Sequence, residues 1–168
     1  MKKVIERLTE LGKTISTMES CTGGGVADAI TSIEGASEVL RFSAVTYSNE
    51  YKIKMGVDSD VIDKYSVYSP EVAREMSKNI SEFANSNYGV GITGKLNRVD
   101  KNNPFGKDNV VFISIYDRDN NKYYDYSIEV KEKSRKENKV VVISLIEEEL
   151  LNILYEKENQ SDKVKLKK

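Results

Sequence analysis

Two short segments carry side chains that could do chemistry. The first, 19–25, reads ESCTGGG and follows an alternating stretch rich in β-branched residues, which predicts a strand. The second, 47–52, reads YSNEYK and follows another predicted strand. Because ligands of open α/β sheets bind at the carboxyl ends of strands, both segments are candidate parts of one site.

Ser20 is the candidate nucleophile in the first segment. The glycines after it let the backbone approach a ligand closely, and the next helix begins with N–H groups that favour a phosphate or a developing oxyanion. Cys21 is a rival, because a thiolate is the better nucleophile. The alternative without function is a glycine-rich turn in which a serine or threonine only caps a helix.

The absence of histidine narrows the chemistry. The chain has 168 residues with no histidine, which excludes a Ser-His-Asp triad, a Cys-His dyad and the usual histidine-rich zinc sites. The base of a hydrolase would then be Lys, Tyr, Asp, Glu or water. Lys52 is a candidate, since a lysine in a dry cleft loses its proton more readily. Taken alone, a helical lysine is more often solvated, and a tyrosine such as Tyr47 more often packs.

Composition indicates a single soluble domain, 1–157. The formal net charge is only -1, so it gives no reason to expect nucleic acid or an acidic membrane as partner. The single cysteine favours a reducing compartment, and the N-terminus lacks the apolar run of a signal peptide, so we expect a cytoplasmic protein. Residues 158–168 are charged without apolar periodicity, which predicts a disordered tail.

Periodicity and turn signals predict helices that alternate with strands early in the chain and a β-hairpin late in it. This order indicates an α/β fold, with a mixed sheet covered by helices on both faces. Residues 94–108 are predicted to form a polar loop. The predicted helices are 2–11, 26–35, 48–56, 58–65, 69–84 and 135–155, and the strands are 14–18, 42–47, 88–92, 110–116 and 123–128.

Taken together, the motifs resemble a known family. ESCTGG at 19–24, and YSNE at 47–50 followed by Lys52, resemble signatures of the CinA-type C-terminal domain, with support from GITG at 91–94 and SPEVA at 69–73. The resemblance implies a three-layer α/β/α sandwich that needs no cofactor and no metal. It also implies an activity similar to nicotinamide-nucleotide amidohydrolases, which convert nicotinamide mononucleotide and water to nicotinate mononucleotide and ammonia. Many CinA proteins carry a further N-terminal domain, so this shorter chain looks like a stand-alone deamidase.

The resemblance also implies roles for individual residues. Ser20 would be the nucleophile, Lys52 its base, and Tyr47 would line the site or relay a proton. Arg135 would bind the phosphate, although the family's GDR is Lys-Ser-Arg here. The expected partners are a pyridine mononucleotide and further copies of the chain in a homo-oligomer. The substrate-binding residues implied are Thr22, Gly23, Gly24, Thr93, Gly94 and Arg135.

The loop after Gly94 departs from the family pattern. The family continues with IAGP and more glycine, whereas this chain reads KLNR at 95–98. Basic side chains of the loop could fold over the phosphate as a closing lid. Alternatively, the loop never closes, and the chain is a nucleotide-binding or interaction module without catalysis. An unrelated phosphate-binding α/β protein is the third interpretation. The presence of Ser20, Tyr47 and Lys52 together favours the enzyme.

Overall fold

The computed structural model describes residues 1–165, and it describes side chains as far as residue 156. The helices are α1 (Lys2–Glu10), α2 (Gly25–Thr31), α3 (Ala36–Val39), α4 (Asn49–Lys54), α5 (Ser59–Tyr65), α6 (Pro70–Ala84) and α7 (Arg135–Lys165). The strands are β1 (Ile15–Glu19), β2 (Leu40–Val45), β3 (Tyr88–Gly94), β4 (Val110–Asp117) and β5 (Lys122–Glu129).

The strands form one mixed sheet in the order β2-β1-β3-β4-β5. Strand β1 runs parallel to β2 and to β3, and β4 runs antiparallel to β3 and to β5. Helices α1, α2, α3 and α7 pack their buried apolar side chains on one face of the sheet, and α5 and α6 pack on the other. The three-layer α/β/α arrangement predicted from the sequence is confirmed.

The two central strands, β1 and β3, are buried along their whole length because helices cover both faces. Their register aligns Glu19 with Ile92, and Glu19 also pairs with Val45 at the end of β2. The three parallel strands therefore end at the same edge of the sheet. The segments 19–25 and 47–52 lie at this edge, where the sequence predicted the site.

Side-chain caps define where the helices on this side begin. The Ser48 hydroxyl accepts a hydrogen bond from the Tyr51 amide at 3.3 Å, and the Ser69 hydroxyl accepts one from the Val72 amide at 3.2 Å. Serine is a preferred N-cap, and each of these serines stands at the first position of a predicted helix, 48–56 or 69–84. Each cap satisfies an amide that the helix itself leaves without a partner.

Three details of the helices differ from the sequence prediction. The helix predicted over 26–35 ends early: α2 stops at Thr31, and a separate short helix, α3, begins at Ala36 after Gly35, which has a φ of +87°. The apolar spacing of Val72, Met76, Ile80 and Phe83 predicts one buried face for the helix 69–84. Phe83 is instead 67% exposed, and its ring packs at a tilt against that of Phe42 on the edge strand β2, at 5.3 Å between centroids.

The third difference concerns the C-terminal end. Helix α7 continues through Lys165 instead of ending near Tyr155, because the charged sequence there contains neither glycine nor proline. The tail predicted to be disordered, 158–168, is thus assigned to a helix except for 166–168, which lie outside the described residues. No helix in the described part of the chain has both the length and the apolar character to cross a bilayer.

Glycines in β3 let α6 lie very close to the sheet. A Cβ on Gly91 would lie 2.3 Å from the Ala73 carbonyl oxygen of α6. The close approach brings the segment before α6 to the end of β3, where the Thr93 hydroxyl donates to the Val67 carbonyl at 2.9 Å. This contact holds one wall of the site described below.

Replacing Gly91 by alanine should therefore destabilise the domain. The added methyl forces the backbone of α6 away from β3, and we expect a loss of about 3 kcal/mol in the free energy of unfolding, measured by urea denaturation. Gly12→Ala is the control, since a Cβ there meets no atom within 4 Å and costs only the strain of its φ of +60°, about 1 kcal/mol. Equal losses in the two variants would contradict this packing.

Candidate active site

Ser20 lies directly after β1 in a tight turn. Its amide donates to the Ile92 carbonyl at 3.1 Å, and its carbonyl accepts from the Gly23 amide at 3.0 Å. Gly23 and Gly24 have φ values of +61° and +90°, a backbone conformation that costs little only for glycine. The turn fixes the Ser20 hydroxyl at the bottom of a cavity, where the residue is 5% exposed.

The buried carboxylate of Glu19 caps α2. Its two oxygens accept from the Val26 amide at 2.9 Å and from the Ala27 amide at 3.0 Å. The sequence prediction that the first amides of this helix face a phosphate or an oxyanion is therefore wrong for these two donors. A negative side chain already satisfies them at the positive end of the helix.

Lys52 lies on the last turn of α4, next to Ser20. Its Nζ is 3.0 Å from the Ser20 Oγ and 2.7 Å from the Thr46 carbonyl oxygen, and the residue is 1% exposed. Burial lowers the pKa of Lys52 to about 8, against the opposing effects of Cys21 and Asp100. A useful fraction of the amine is thus neutral near physiological pH, as a base requires.

Cys21 is a poor competitor for the role of nucleophile. It is buried, and burial raises the pKa of its thiol to about 12, with Lys52 only partly offsetting the effect. The reactive thiolate is therefore scarce at neutral pH. The geometry favours Ser20 over its neighbour.

Arg135 reaches the same cavity from the start of α7. A capping box sets the helix start: the Ser134 hydroxyl accepts from the Glu137 amide at 3.1 Å, and the Glu137 carboxylate accepts from the Ser134 amide at 3.1 Å. Arg135 then donates to the Tyr47 hydroxyl at 3.3 Å, and both side chains lie at the exposed rim.

The cavity has a volume of about 480 Å³. Among the predicted site residues, its lining includes Ser20, Tyr47, Lys52, Gly94 and Arg135. The remaining predicted residues lie beside it rather than in its wall: Thr22, Gly23, Gly24 and Thr93.

The four residues outside the lining have structural surroundings of their own. The Thr93 hydroxyl already donates to the Val67 carbonyl, and Thr22 is 1% exposed. A Cβ on Gly23 would lie 3.2 Å from the Lys139 Nζ, so the amine of α7 lies close to this exposed glycine. The predicted substrate contacts of these residues stay predictions.

The matching family model is described as the CinA C-terminal domain, and it covers residues 1–150. The chain belongs to this family. A competence-damage inducible protein of Clostridium kluyveri is 40% identical over 120 residues, which cover 70% of this chain and 29% of the relative. A CinA-like protein of Flavobacterium psychrophilum is 40% identical over 111 residues, 64% of this chain and 26% of that relative. The chain thus spans less than a third of the length of these relatives.

Solved CinA structures share the fold. The competence/damage inducible protein CihA of Agrobacterium tumefaciens matches with a TM-score of 0.80 and 28% identity, over 89% of this chain and 90% of that one. A CinA superfamily protein of Klebsiella pneumoniae matches with a TM-score of 0.82 over 92% of this chain and 95% of that one. At 20% identity, the second likeness shows the fold alone.

In this CinA domain, the loop 95–108 folds over the cavity. The Tyr68 hydroxyl donates to the carboxylate of Asp100, and the Asn103 side-chain amide donates to the same carboxylate at 3.0 Å. Asn49 on α4 donates to Asn103 at 3.2 Å. These contacts tie the loop to two walls of the site.

Sequence reasoning missed Tyr68, Asp100 and Asn103 as residues that line the site. The Tyr68–Asp100 pair joins positions 32 apart in the chain, and Asn49–Asn103 joins positions 54 apart. No local pattern signals such contacts. Only the departure of the loop from the family's glycine-rich sequence marked this region as different.

Proposed function

We propose that this CinA domain hydrolyses the carboxamide of nicotinamide mononucleotide to nicotinate mononucleotide and ammonia. The observation that carries the proposal is the 3.0 Å contact between the Lys52 Nζ and the Ser20 Oγ, buried at the bottom of a cavity. In a chain without histidine, a serine paired with a lysine of lowered pKa is a nucleophile with its own base.

The first step acylates the serine. Neutral Lys52 takes the hydroxyl proton of Ser20 as its oxygen attacks the carboxamide carbon, and the carbonyl oxygen becomes an oxyanion. The turn amides of Cys21 and Thr22 are the nearest candidate donors for it, because Glu19 occupies those of α2. Protonated Lys52 then gives a proton to the nitrogen, the C–N bond breaks, and ammonia leaves an ester on Ser20.

The second step releases the acid. Lys52, neutral again, takes a proton from water as the water oxygen attacks the ester carbon. The ester bond breaks, the Ser20 oxygen regains a proton from Lys52, and nicotinate mononucleotide leaves. The Thr46 carbonyl, 2.7 Å from the Lys52 Nζ, stabilises each ammonium intermediate and keeps the amine aimed at Ser20.

The phosphate of the substrate is assigned to the α7 side of the site. Arg135 lines the cavity with Tyr47, and the Lys139 amine lies close to the exposed Gly23. A guanidinium supplies a permanently charged, forked contact to phosphate. The cavity volume of about 480 Å³ lies within the range of small-molecule sites.

The direct test of the proposal is ammonia release from nicotinamide mononucleotide. Ser20→Ala should abolish release because it removes the attacking oxygen, while Cys21→Ala should keep most of it because the thiol stays protonated. Thermal unfolding of both variants controls for folding. Near-normal release by Ser20→Ala would refute the mechanism. Binding of the mononucleotide by the unmodified chain without any ammonia would favour a binding module.

The pH dependence tests Lys52 as the base. Only the neutral amine accepts a proton, so kcat/KM should rise about tenfold per pH unit below the Lys52 pKa and level off above it. The pKa of about 8 places that bend near pH 8. A profile that is flat between pH 6 and about 9 would contradict the assignment.

Lys52→Met should lower the rate by about 10²–10⁴-fold, the usual contribution of a positioned base. Its free energy of unfolding should not fall, since a methionine is easier to bury than an amine. Lys54→Met is the matched control, because that lysine is exposed and pairs with Glu50 at 2.6 Å. Similar rate losses in both variants would reject a specific role for Lys52.

Arg135→Ala tests the phosphate contact. We expect KM for nicotinamide mononucleotide to rise about 10- to 100-fold, the size of a lost charged hydrogen bond. Activity on nicotinamide riboside, which lacks the phosphate, should change little. Lys136→Ala removes a neighbouring exposed charge and should affect neither substrate. Equal losses on both substrates in Arg135→Ala would reject the phosphate role.

A further inference from the structure

Asp100 contributes a negative charge to the wall of the cavity, and among the residues whose side chains are described no lysine or arginine forms an ion pair with it. Its carboxylate accepts hydrogen bonds from the Tyr68 hydroxyl, from the Asn103 side chain at 3.0 Å and from the Asn102 amide at 2.9 Å. Within the part of the chain whose side chains are described, no lysine or arginine nitrogen lies within 4.0 Å of it. The Tyr68 and Asn103 hydrogen bonds lower the pKa of Asp100 to about 2.

None of the lysine and arginine side chains described at the cavity forms an ion pair with Asp100. Lys95 is buried and forms an ion pair with Asp108 at 3.0 Å, and Arg98 is exposed at the rim. Lys52 donates to Ser20 and to the Thr46 carbonyl, and it is partly neutral near its pKa of about 8. Asp100 therefore lines the same cavity as Ser20 and Lys52 without forming an ion pair with any described side chain.

Asp100 and Arg135 form separate parts of the cavity wall. Asp100 is held by Tyr68 and Asn103 on the loop side, whereas Arg135 contacts Tyr47 on the α7 side. A ligand that satisfies both must carry a positive and a negative group. An anion alone would be repelled by Asp100, and a cation alone would leave Arg135 without a partner.

We propose that Asp100 is a specificity-determining residue that favours a substrate whose reacting ring is positively charged. The inference rests on the proposed function, in which the carboxamide is attached to a pyridinium ring and the phosphate is carried by the ribose. The field of Asp100 already reaches the Lys52 amine. A carboxamide placed at Ser20 brings its ring into the same field, while its phosphate lies towards Arg135.

The test compares two ligands that differ in ring charge. Nicotinamide mononucleotide has a cationic ring, and its reduced dihydro form has the same carboxamide, ribose and phosphate on a neutral ring. Both are titrated by calorimetry into the Ser20→Ala protein, in which turnover does not occur. Asp100→Asn in that background should weaken the oxidised ligand about fivefold and leave the reduced ligand within about twofold, as expected for a half-exposed charge pair.

The asparagine retains an acceptor for Tyr68, so a loss of charge is separated from a loss of shape. Asp63→Asn is the control, because it removes the same charge from an exposed position outside the cavity lining. It should change the affinity of both ligands by the same factor. If Asp100→Asn weakened the binding of both ligands by the same factor, the role of Asp100 would be structural only and the inference would be overturned. The inference would also be overturned if the Ser20→Ala protein with Asp100 intact bound the two ligands equally or bound neither.

Ammonia release by the unmodified chain is measured separately. Charge selection together with ammonia release supports both proposals. If Asp100 favours the cationic ligand but no ammonia is released, the proposed role of Asp100 in binding stands and the proposed hydrolase activity is rejected. Ammonia release without charge selection leaves the hydrolase and removes the role of Asp100.

Discussion

The buried amine of Lys52 is the constraint on which the site depends. Removing an ammonium group from water costs several kcal/mol unless partners replace the water, so the fold must supply acceptors and a partly neutral amine. It supplies the Thr46 carbonyl and the Ser20 hydroxyl. The Thr46 amide donates to the Glu19 carbonyl at 2.8 Å. The two partners of the lysine therefore lie directly after the parallel strands β1 and β2, which end here.

Glu19 determines how the neighbouring helix can be used. A glycine-rich turn before a helix usually offers its amides to an anion. Here the buried carboxylate takes two of them, which leaves the turn well ordered but closes the end of α2 to a second negative group. Under the proposed function, binding of the substrate phosphate would then depend on side chains, and Arg135 of α7, which lines the cavity, is the candidate.

Local signals account for what the sequence could predict. Patterns within a few residues predict the caps at Ser48 and Ser69 and the hairpin of β4 and β5. The topology of parallel strands predicts that Ser20 and Lys52 lie close together. The sequence did not predict that Glu19 caps α2, because the contact of its carboxylate with the α2 amides is known only from the structure. The contacts of Asp100 were hidden for a different reason, since each of its side-chain partners depends on how the loop folds back.

The loop 95–108 affects which ligand charge the cavity favours. Glycine-rich loops contact ligands through backbone amides, which are donors and suit negative groups. The loop 95–108 instead presents the carboxylate of Asp100, supported by neutral donors from Tyr68 and Asn103. Lys95 and Arg98 of the same loop also line the cavity, so Asp100 is the group of this wall that favours a positive part of a ligand. Under the two proposals, Asp100 would attract the cationic ring and Arg135 the phosphate, and a ligand with one charge of each sign would be oriented before any chemistry begins.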